Sequence, residues 1–300
     1  MPDFPLATAL AAGPVVLDGG LSTELEARGH DLSSALWSAR LLLDAPAAVV
    51  AAHAAFAAAG AQVVTTASYQ ASVEGLARVG ADLAGARRLV VSSVGLARRG
   101  APDAWIAGAV GPYGAVLADG SEYTGGYADL LGVERLRRWH RPRMQWLAEA
   151  GVDVLACETV PAAAEAEALL MEADMLGVPM WLSLTTVVDG DGVVRTRRGE
   201  PAEEVFAMAY GNDAVVAVGV NCTDPSGVGP ALAAAAWSGK PLVAYPNSGE
   251  DWDPDGRRWT GSPGVDAGAV PAWVDAGARL VGGCCRVGPA DIARIAAMIR

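Results

Sequence analysis

Val215-Val216-Ala217-Val218-Gly219-Val220, closed by Asn221-Cys222, is the stretch on which the reading of the fold turns. Six apolar residues in a row, without alternation, make a strand buried on both faces. Such strands belong to parallel sheets covered by helices. The same kind of run recurs outward along the chain. Before it come Val15-Val16-Leu17, Gln62-Val63-Val64-Thr65-Thr66, Trp105-Ile106-Ala107-Gly108-Ala109-Val110, Val152-Asp153-Val154-Leu155-Ala156 and Met180-Trp181-Leu182-Ser183-Leu184. After it come Leu242-Val243-Ala244-Tyr245 and Arg279-Leu280-Val281-Gly282. Alanine-rich segments of helical character lie between them, over 47–59, 83–98, 133–150, 162–176 and 290–299. Eight such units predict an α/β fold, a (β/α)8 TIM-type barrel, with residues 1–300 as one domain. A doubly wound open sheet is the runner-up. It wants a G-x-G-x-x-G turn after the first strand, which Asp18-Gly19-Gly20-Leu21-Ser22 does not supply.

Composition narrows the function. The chain has 300 residues, 52% of them hydrophobic and 19% charged, which excludes a disordered protein. A net charge of -12 repels phosphate backbones, so no nucleic-acid partner is expected. The most apolar stretch, 45–61, is interrupted by Pro46 and His53 and falls short of the roughly 20 apolar residues of a membrane span. Met1-Pro2-Asp3-Phe4 has no basic character, so no leader is read and a cytoplasmic location is expected. Four cysteines in such a compartment point to metal binding or catalysis rather than to disulfides.

In a barrel the C-terminal strand ends converge on one mouth, where chemistry sits. Read that way, the strands deliver Asp18, then Thr65 and Tyr69, then Cys157 and Glu158, then Asn221 and Cys222, then Tyr245 and Asn247, and last Cys284 and Cys285. Cys222, Cys284 and Cys285 therefore meet from two strands far apart in sequence. Neighbouring strand residues face opposite ways, so both members of the vicinal pair reach one metal only if the strand has ended; Gly282 and Gly283 are expected to supply the backbone freedom. Three thiolates without an evident fourth ligand describe an open site, and sulfur favours Zn2+ over magnesium or calcium. Asp18 and Glu158 nearby would suit an ammonium group. On the residues alone, small buried core cysteines and strand-end carboxylates remain the competing reading, and Cys157 is expected in the core or behind the ligands. Two long connections, 111–132 and 246–264, follow strand ends and are expected to lie over the mouth.

At these residues the sequence resembles the homocysteine S-methyltransferase family. The matching stretches are Leu17-Asp18-Gly19-Gly20 with Thr23-Glu24-Leu25, Thr65 to Ser72, Gly111-Pro112-Tyr113-Gly114, Cys157-Glu158-Thr159-Val160-Pro161, Gly219-Val220-Asn221-Cys222, Tyr245 to Glu250 and Gly282-Gly283-Cys284-Cys285-Arg286. Leu117 to Tyr123 is most similar to the branch that uses S-methylmethionine. The resemblance implies a zinc-dependent methyltransferase that moves a methyl group from a sulfonium donor, S-methylmethionine or S-adenosylmethionine, to the thiol of homocysteine, giving methionine. It implies Cys222, Cys284 and Cys285 as zinc ligands and catalytic centre. Asp18 and Glu158 would hold the homocysteine ammonium group, and backbone amides around Gly19 and Gly20 its carboxylate. Tyr69, Asn221 and Asn247 would complete the substrate site. Tyr123, Trp252 and Trp259 are candidates to face the donor's positive charge. Small-molecule partners and a monomer or weak homo-oligomer are expected. The same barrel acting on another donor or another small thiol or selenol is the alternative, and a zinc- or thiol-binding protein without turnover is the alternative of another class.

Overall fold

The structure, a computed structural model, describes residues 2, 4–32, 37–253, 258–260 and 265–299, without the side chains of 37–39, 251–253, 258 and 259. Eight parallel strands form the sheet: β1 (Val15–Val16), β2 (Val63–Thr65), β3 (Trp105–Val110), β4 (Val154–Val160), β5 (Met180–Leu184), β6 (Val215–Asn221), β7 (Leu242–Tyr245) and β8 (Ala278–Val281). They are hydrogen-bonded in chain order from β2 to β8, and β8 then pairs with β1 through Val15↔Leu280 and Val16↔Val281. A parallel bridge between Leu17 and Val63 joins β1 to β2 and closes the barrel. The fold is the expected (β/α)8 barrel.

Alternation along each strand sorts side chains into two layers. In β4, Val154 and Ala156 join the inner cluster with Leu17, Val63, Ala107, Trp181, Ala217 and Leu280. Leu155, Cys157 and Val160 face outward into the larger core under the helices. The outer layer includes Pro46–Ala58, Leu83–Gly100, Ala128–Glu149, Ala163–Leu176 and Pro289–Ile299. Ser72 and Asp82 cap their helices by accepting from Gly75 N–H at 2.9 Å and Gly85 N–H at 2.7 Å. Among the described residues no helix is long and apolar enough to cross a membrane.

Three elements differ from expectation. Strand β4 runs on through Glu158 to Val160, with a register shift after Cys157 and Thr159 at φ 60°. A hairpin pairs Thr186–Val188 with Val194–Thr196, and its signal was the Asp189-Gly190-Asp191-Gly192 turn between valines. A helix over Leu6–Ala12 precedes β1 and plugs the N-terminal end of the barrel, its Leu6 and Leu10 one turn apart in the inner cluster. The carbonyl of Phe4 accepts from Trp105 Nε1 at 3.0 Å and anchors the plug.

Because Leu10 fills the barrel end opposite the mouth, Leu10→Ala is expected to cost about 2–5 kcal/mol of stability, the usual range for a buried leucine truncation. Thermal melting checks this, and metal uptake at the far end should be unchanged in the same sample.

Candidate metal centre and active site

Asp18 lies in the seam where the barrel closes. Its N–H donates to Val63 O at 3.1 Å, and its carbonyl accepts from Gly283 N–H at 3.1 Å. Its carboxylate accepts from Thr65 N–H at 2.7 Å and faces Thr65 Oγ1 at 3.1 and 3.2 Å. Glu158 stands across the mouth and accepts from the Tyr245 hydroxyl at 3.2 Å, which itself accepts from Trp181 Nε1 at 2.9 Å. Both carboxyls are buried, and among the described residues neither forms an ion pair. Burial pushes Asp18 up to about 7, against the opposing hydrogen bonds from Thr65. Burial and then the charge of Asp18 push Glu158 up to about 8. Two uncompensated acids at one point make a place for a cation.

Cys222 follows β6 with φ 48°, a left-handed conformation uncommon for a residue with a side chain. The turn is held by its own N–H donating to Tyr245 O at 3.3 Å and by Thr185 Oγ1 donating to its carbonyl at 3.1 Å. The vicinal pair lies beyond the end of β8. Cys284 N–H donates to Pro246 O at 2.8 Å, Cys285 N–H to Asn247 Oδ1 at 3.2 Å, and Cys285 O accepts from Ser248 N–H at 3.0 Å. The segment after β7 thus holds the pair out of strand geometry, so that both sulfurs face one point. The Sγ atoms of Cys222, Cys284 and Cys285 lie within 4.8 Å of one another, and those of Cys222 and Cys285 are 3.7 Å apart. Such a cluster could bind a metal ion. Cys157 is elsewhere, fully buried in the outer core, where burial pushes its thiol up.

Gly282 and Gly283 serve this arrangement by a different physical route from the one expected. Neither has a positive φ. A Cβ on Gly282 would stand 2.5 Å from Asp18 O, and one on Gly283 2.1 Å from Val287 Cγ1. On the facing segment, just before the helix Leu21–Ala27, a Cβ on Gly20 would stand 2.5 Å from Cys284 O. Gly282 and Gly20 are required by close approach of two backbones, and Gly283 by the Val287 side chain packed against it. The Gly20 N–H already donates to Val287 O at 2.9 Å, so this amide of the Gly19–Gly20 turn is occupied.

Asn221 is buried and lines the cavity, yet its amide is spent on the protein. Oδ1 accepts from Thr159 N–H at 2.7 Å and Ser183 Oγ at 2.8 Å, while Nδ2 donates to Thr159 Oγ1 at 2.7 Å and approaches Cys284 Sγ at 3.9 Å. Asn247 likewise supports Cys285 rather than lining the cavity. Tyr69 and Tyr123 form part of the cavity wall, and the Tyr123 hydroxyl is 3.1 Å from Cys222 Sγ. Two charged neighbours lie outside the sequence reading. Arg197, past the hairpin, sits with its guanidinium 5.7 Å from the Tyr123 ring centroid. Glu122 is buried with Oε2 unpartnered, and burial raises its pKa. The side chains of Trp252 and Trp259 lie outside the described residues.

The geometry agrees with three comparisons. The family model described as homocysteine S-methyltransferase matches residues 15–299. The chain belongs to the homocysteine S-methyltransferase family. It is 42% identical to homocysteine S-methyltransferase 4 of Zea mays over 97% of this chain and 90% of that protein. It is 39% identical to a selenocysteine Se-methyltransferase of Brassica oleracea var. italica, covering 94% of this chain and 88% of the relative. Its fold superposes on the metallated form of the homocysteine methyltransferase MmuM from Escherichia coli with a TM-score of 0.86 at 40% identity, over 98% and 99% of the two chains.

The two raised carboxyls of this family member carry a stability signature. Folding makes them hold protons that the unfolded chain releases near the ordinary values of 3.8 and 4.5. Their contribution is complete below those values and is lost as pH rises through about 7 and about 8. Metal-free, reduced Glu158→Gln should therefore melt above the parent at pH 8.5 and show a smaller difference between pH 5.5 and 8.5. Parallel melting curves would show that burial does not strain Glu158.

Proposed function

We propose that this chain transfers a methyl group from a sulfonium donor to the thiol of homocysteine, giving methionine, with Cys222, Cys284 and Cys285 as ligands of one zinc ion. The observation that carries the reading is the close set of three sulfurs beside two buried, unpaired carboxyls in one cavity. The donor set fits zinc. Sulfurs placed about 2.3 Å from a tetrahedral centre stand about 3.8 Å apart, and the Cys222–Cys285 spacing is 3.7 Å. Without a cation the cluster favours a single thiolate. Cys222 is held well below the usual thiol range by the neighbouring Cys284 and Cys285 thiols, whose own protons are correspondingly harder to remove. Zinc, when bound, supplies the positive charge that keeps sulfur deprotonated at neutral pH.

The remaining work falls to the chain. Asp18 and Glu158 would take the ammonium group of the amino-acid acceptor, which restores both to their ionised form and orients the acceptor sulfur toward the cluster. A carbon–sulfur bond forms to the acceptor as the donor's carbon–sulfur bond breaks. The donor sulfur keeps the electron pair and departs as a neutral thioether, so the leaving group needs no acid. The faces of Tyr69 and Tyr123 would stabilise the donor's positive charge before transfer. A second reading keeps this chemistry and changes the acceptor, since the Brassica relative is named for selenocysteine.

Elemental analysis should find about one zinc per chain, lost in Cys285→Ala. Homocysteine and S-methylmethionine should then yield methionine, and Asp18→Asn should raise the homocysteine KM by roughly tenfold or more, the scale of one lost charged hydrogen bond. Reduced protein that takes up no added zinc would overturn the metal assignment. Preference for selenocysteine over homocysteine in kcat/KM would establish the second reading.

A further inference from the structure

Outside the barrel, between the helices Ala128–Glu149 and Ala163–Leu176, lies a buried polar cluster that no step of the reaction uses. Glu165 is fully buried. Its Oε1 accepts from Tyr113 N–H at 2.7 Å and from His140 Nε2 at 2.8 Å, and its Oε2 accepts from the Tyr127 hydroxyl. His140 Nδ1 faces Arg143 Nη2 at 3.1 Å. A guanidinium can only donate, so Nδ1 accepts and the ring proton resides on Nε2, aimed at Glu165. Arg143 also donates to Tyr69 O at 2.7 Å and Gly111 O at 2.6 Å.

These bonds end on Tyr69, Gly111, Tyr113 and Tyr127, at the roots of the connections that wall the mouth. Tyr113 and Tyr127 bracket the connection that carries Tyr123. The bracket is tight, because a Cβ on Gly114 would stand 2.5 Å from both the Ser121 carbonyl carbon and the Glu122 nitrogen and 2.7 Å from the Tyr127 ring. Glu165 therefore grips both ends of a folded connection whose middle sets the Tyr123 hydroxyl 3.1 Å from Cys222 Sγ. Burying a carboxylate, an imidazole and a guanidinium together is a costly way merely to join two helices that an apolar contact would join as well.

We propose that Glu165, oriented by His140 and Arg143, is a positioning residue for methyl transfer: from behind the barrel it holds the 111–127 connection down on the sulfur cluster. It touches neither substrate nor metal. Its loss lets the connection lift, so that Tyr123 leaves Cys222 and the donor loses one wall of its site, while the sulfurs and both mouth carboxyls stay in place. The kinetic side of this inference rests on the methyl-transfer reading; the spectroscopic side does not.

The test replaces zinc by cobalt(II), whose sulfur-to-metal charge-transfer band reports the hydrogen bonding of its thiolates. Tyr127→Phe removes one grip and keeps the ring. It is expected to bind one cobalt with unchanged affinity, to shift that band, and to raise the donor KM about tenfold with the homocysteine Kd unchanged, the scale of one lost hydrogen bond to a charged group. Glu165→Gln should be milder, because its amide oxygen retains both Oε1 partners and the Tyr127 hydroxyl can turn to accept from its NH2. Gly114→Ala leaves Glu165 intact but drives a methyl into the Ser121–Glu122 backbone, and should shift the band as Tyr127→Phe does. A parent-like band in Tyr127→Phe and Gly114→Ala overturns the proposal, whatever the assays show. A parent enzyme that makes no methionine overturns the methyl-transfer reading and leaves the band to decide this one.

Discussion

Closure of the barrel at a two-residue first strand is the constraint on which the rest depends. Strand β1 pairs with β8 through Val15 and Val16, the Leu17 N–H donates to Val281 O at 2.8 Å, and a bridge at Leu17 reaches β2. The next residue completes the join. Asp18 contributes its N–H to Val63, its carbonyl to Gly283 and its carboxylate to Thr65. The residue that closes the sheet is thus also the acid that faces the cavity. This seam brings β8 against β1, and so sets Cys284 beside Gly20 with no room for a side chain between them. Folding and site assembly are in this sense one event: any slip in the β1–β8 register would displace the vicinal cysteines from Cys222.

The mouth concentrates the structure's unfavourable terms. Cys222, Thr159 and Arg286 adopt left-handed conformations that side chains disfavour, and each is adjacent to or within the cavity's framework. Asp18 and Glu158 are buried without a cation, and three thiols crowd one another. Elsewhere in the barrel, strands alternate between two well-filled apolar layers. The surplus stability of those layers lets a strained mouth persist, and a bound cation would relieve it.

The barrel was legible because its strands are short, largely apolar runs rich in β-branched residues, repeated eight times between alanine-rich helical segments. The strand-end rule then located Asp18, Glu158 and the three cysteines, while alternation along β4 turned Cys157 outward into the core under the helices. Other parts left weaker traces. The plug helix Leu6–Ala12 shows only Leu6 and Leu10 four residues apart, too short a pattern to stand out from an alanine-rich chain. Asn221 and Asn247 were placed correctly at strand ends but turn their amides to Thr159, Ser183 and Cys285, because a hydrogen-bond partner depends on neighbours that are remote in sequence. The reason for Gly282 and Gly283 was invisible for the same cause: close approach to Asp18 or to Val287 is a property of the folded segments, whereas conformational freedom can be guessed from one residue. Arg143, Arg197 and Glu165 carry no local signal at all. An arginine on an amphipathic helix reads as a solvated residue until the partner helix is in place.

The walls of the cavity differ in origin, and the difference bears on specificity. Sulfurs and carboxyls come from strand ends, where backbone hydrogen bonds to two neighbours fix each position. Tyr123 and its neighbour Arg197 come from connections, which are held by local turns, by side chains such as Glu165 and by glycine contacts such as Gly114. In the proposed reaction the acceptor meets the rigid wall and the donor the adjustable one. Deprotonating and aligning a thiol tolerates little displacement, whereas a sulfonium cation needs only an aromatic face and the right approach. In that reaction the donor wall would be altered through the connections that carry Tyr123 and Arg197, with the sulfur cluster and the barrel seam untouched.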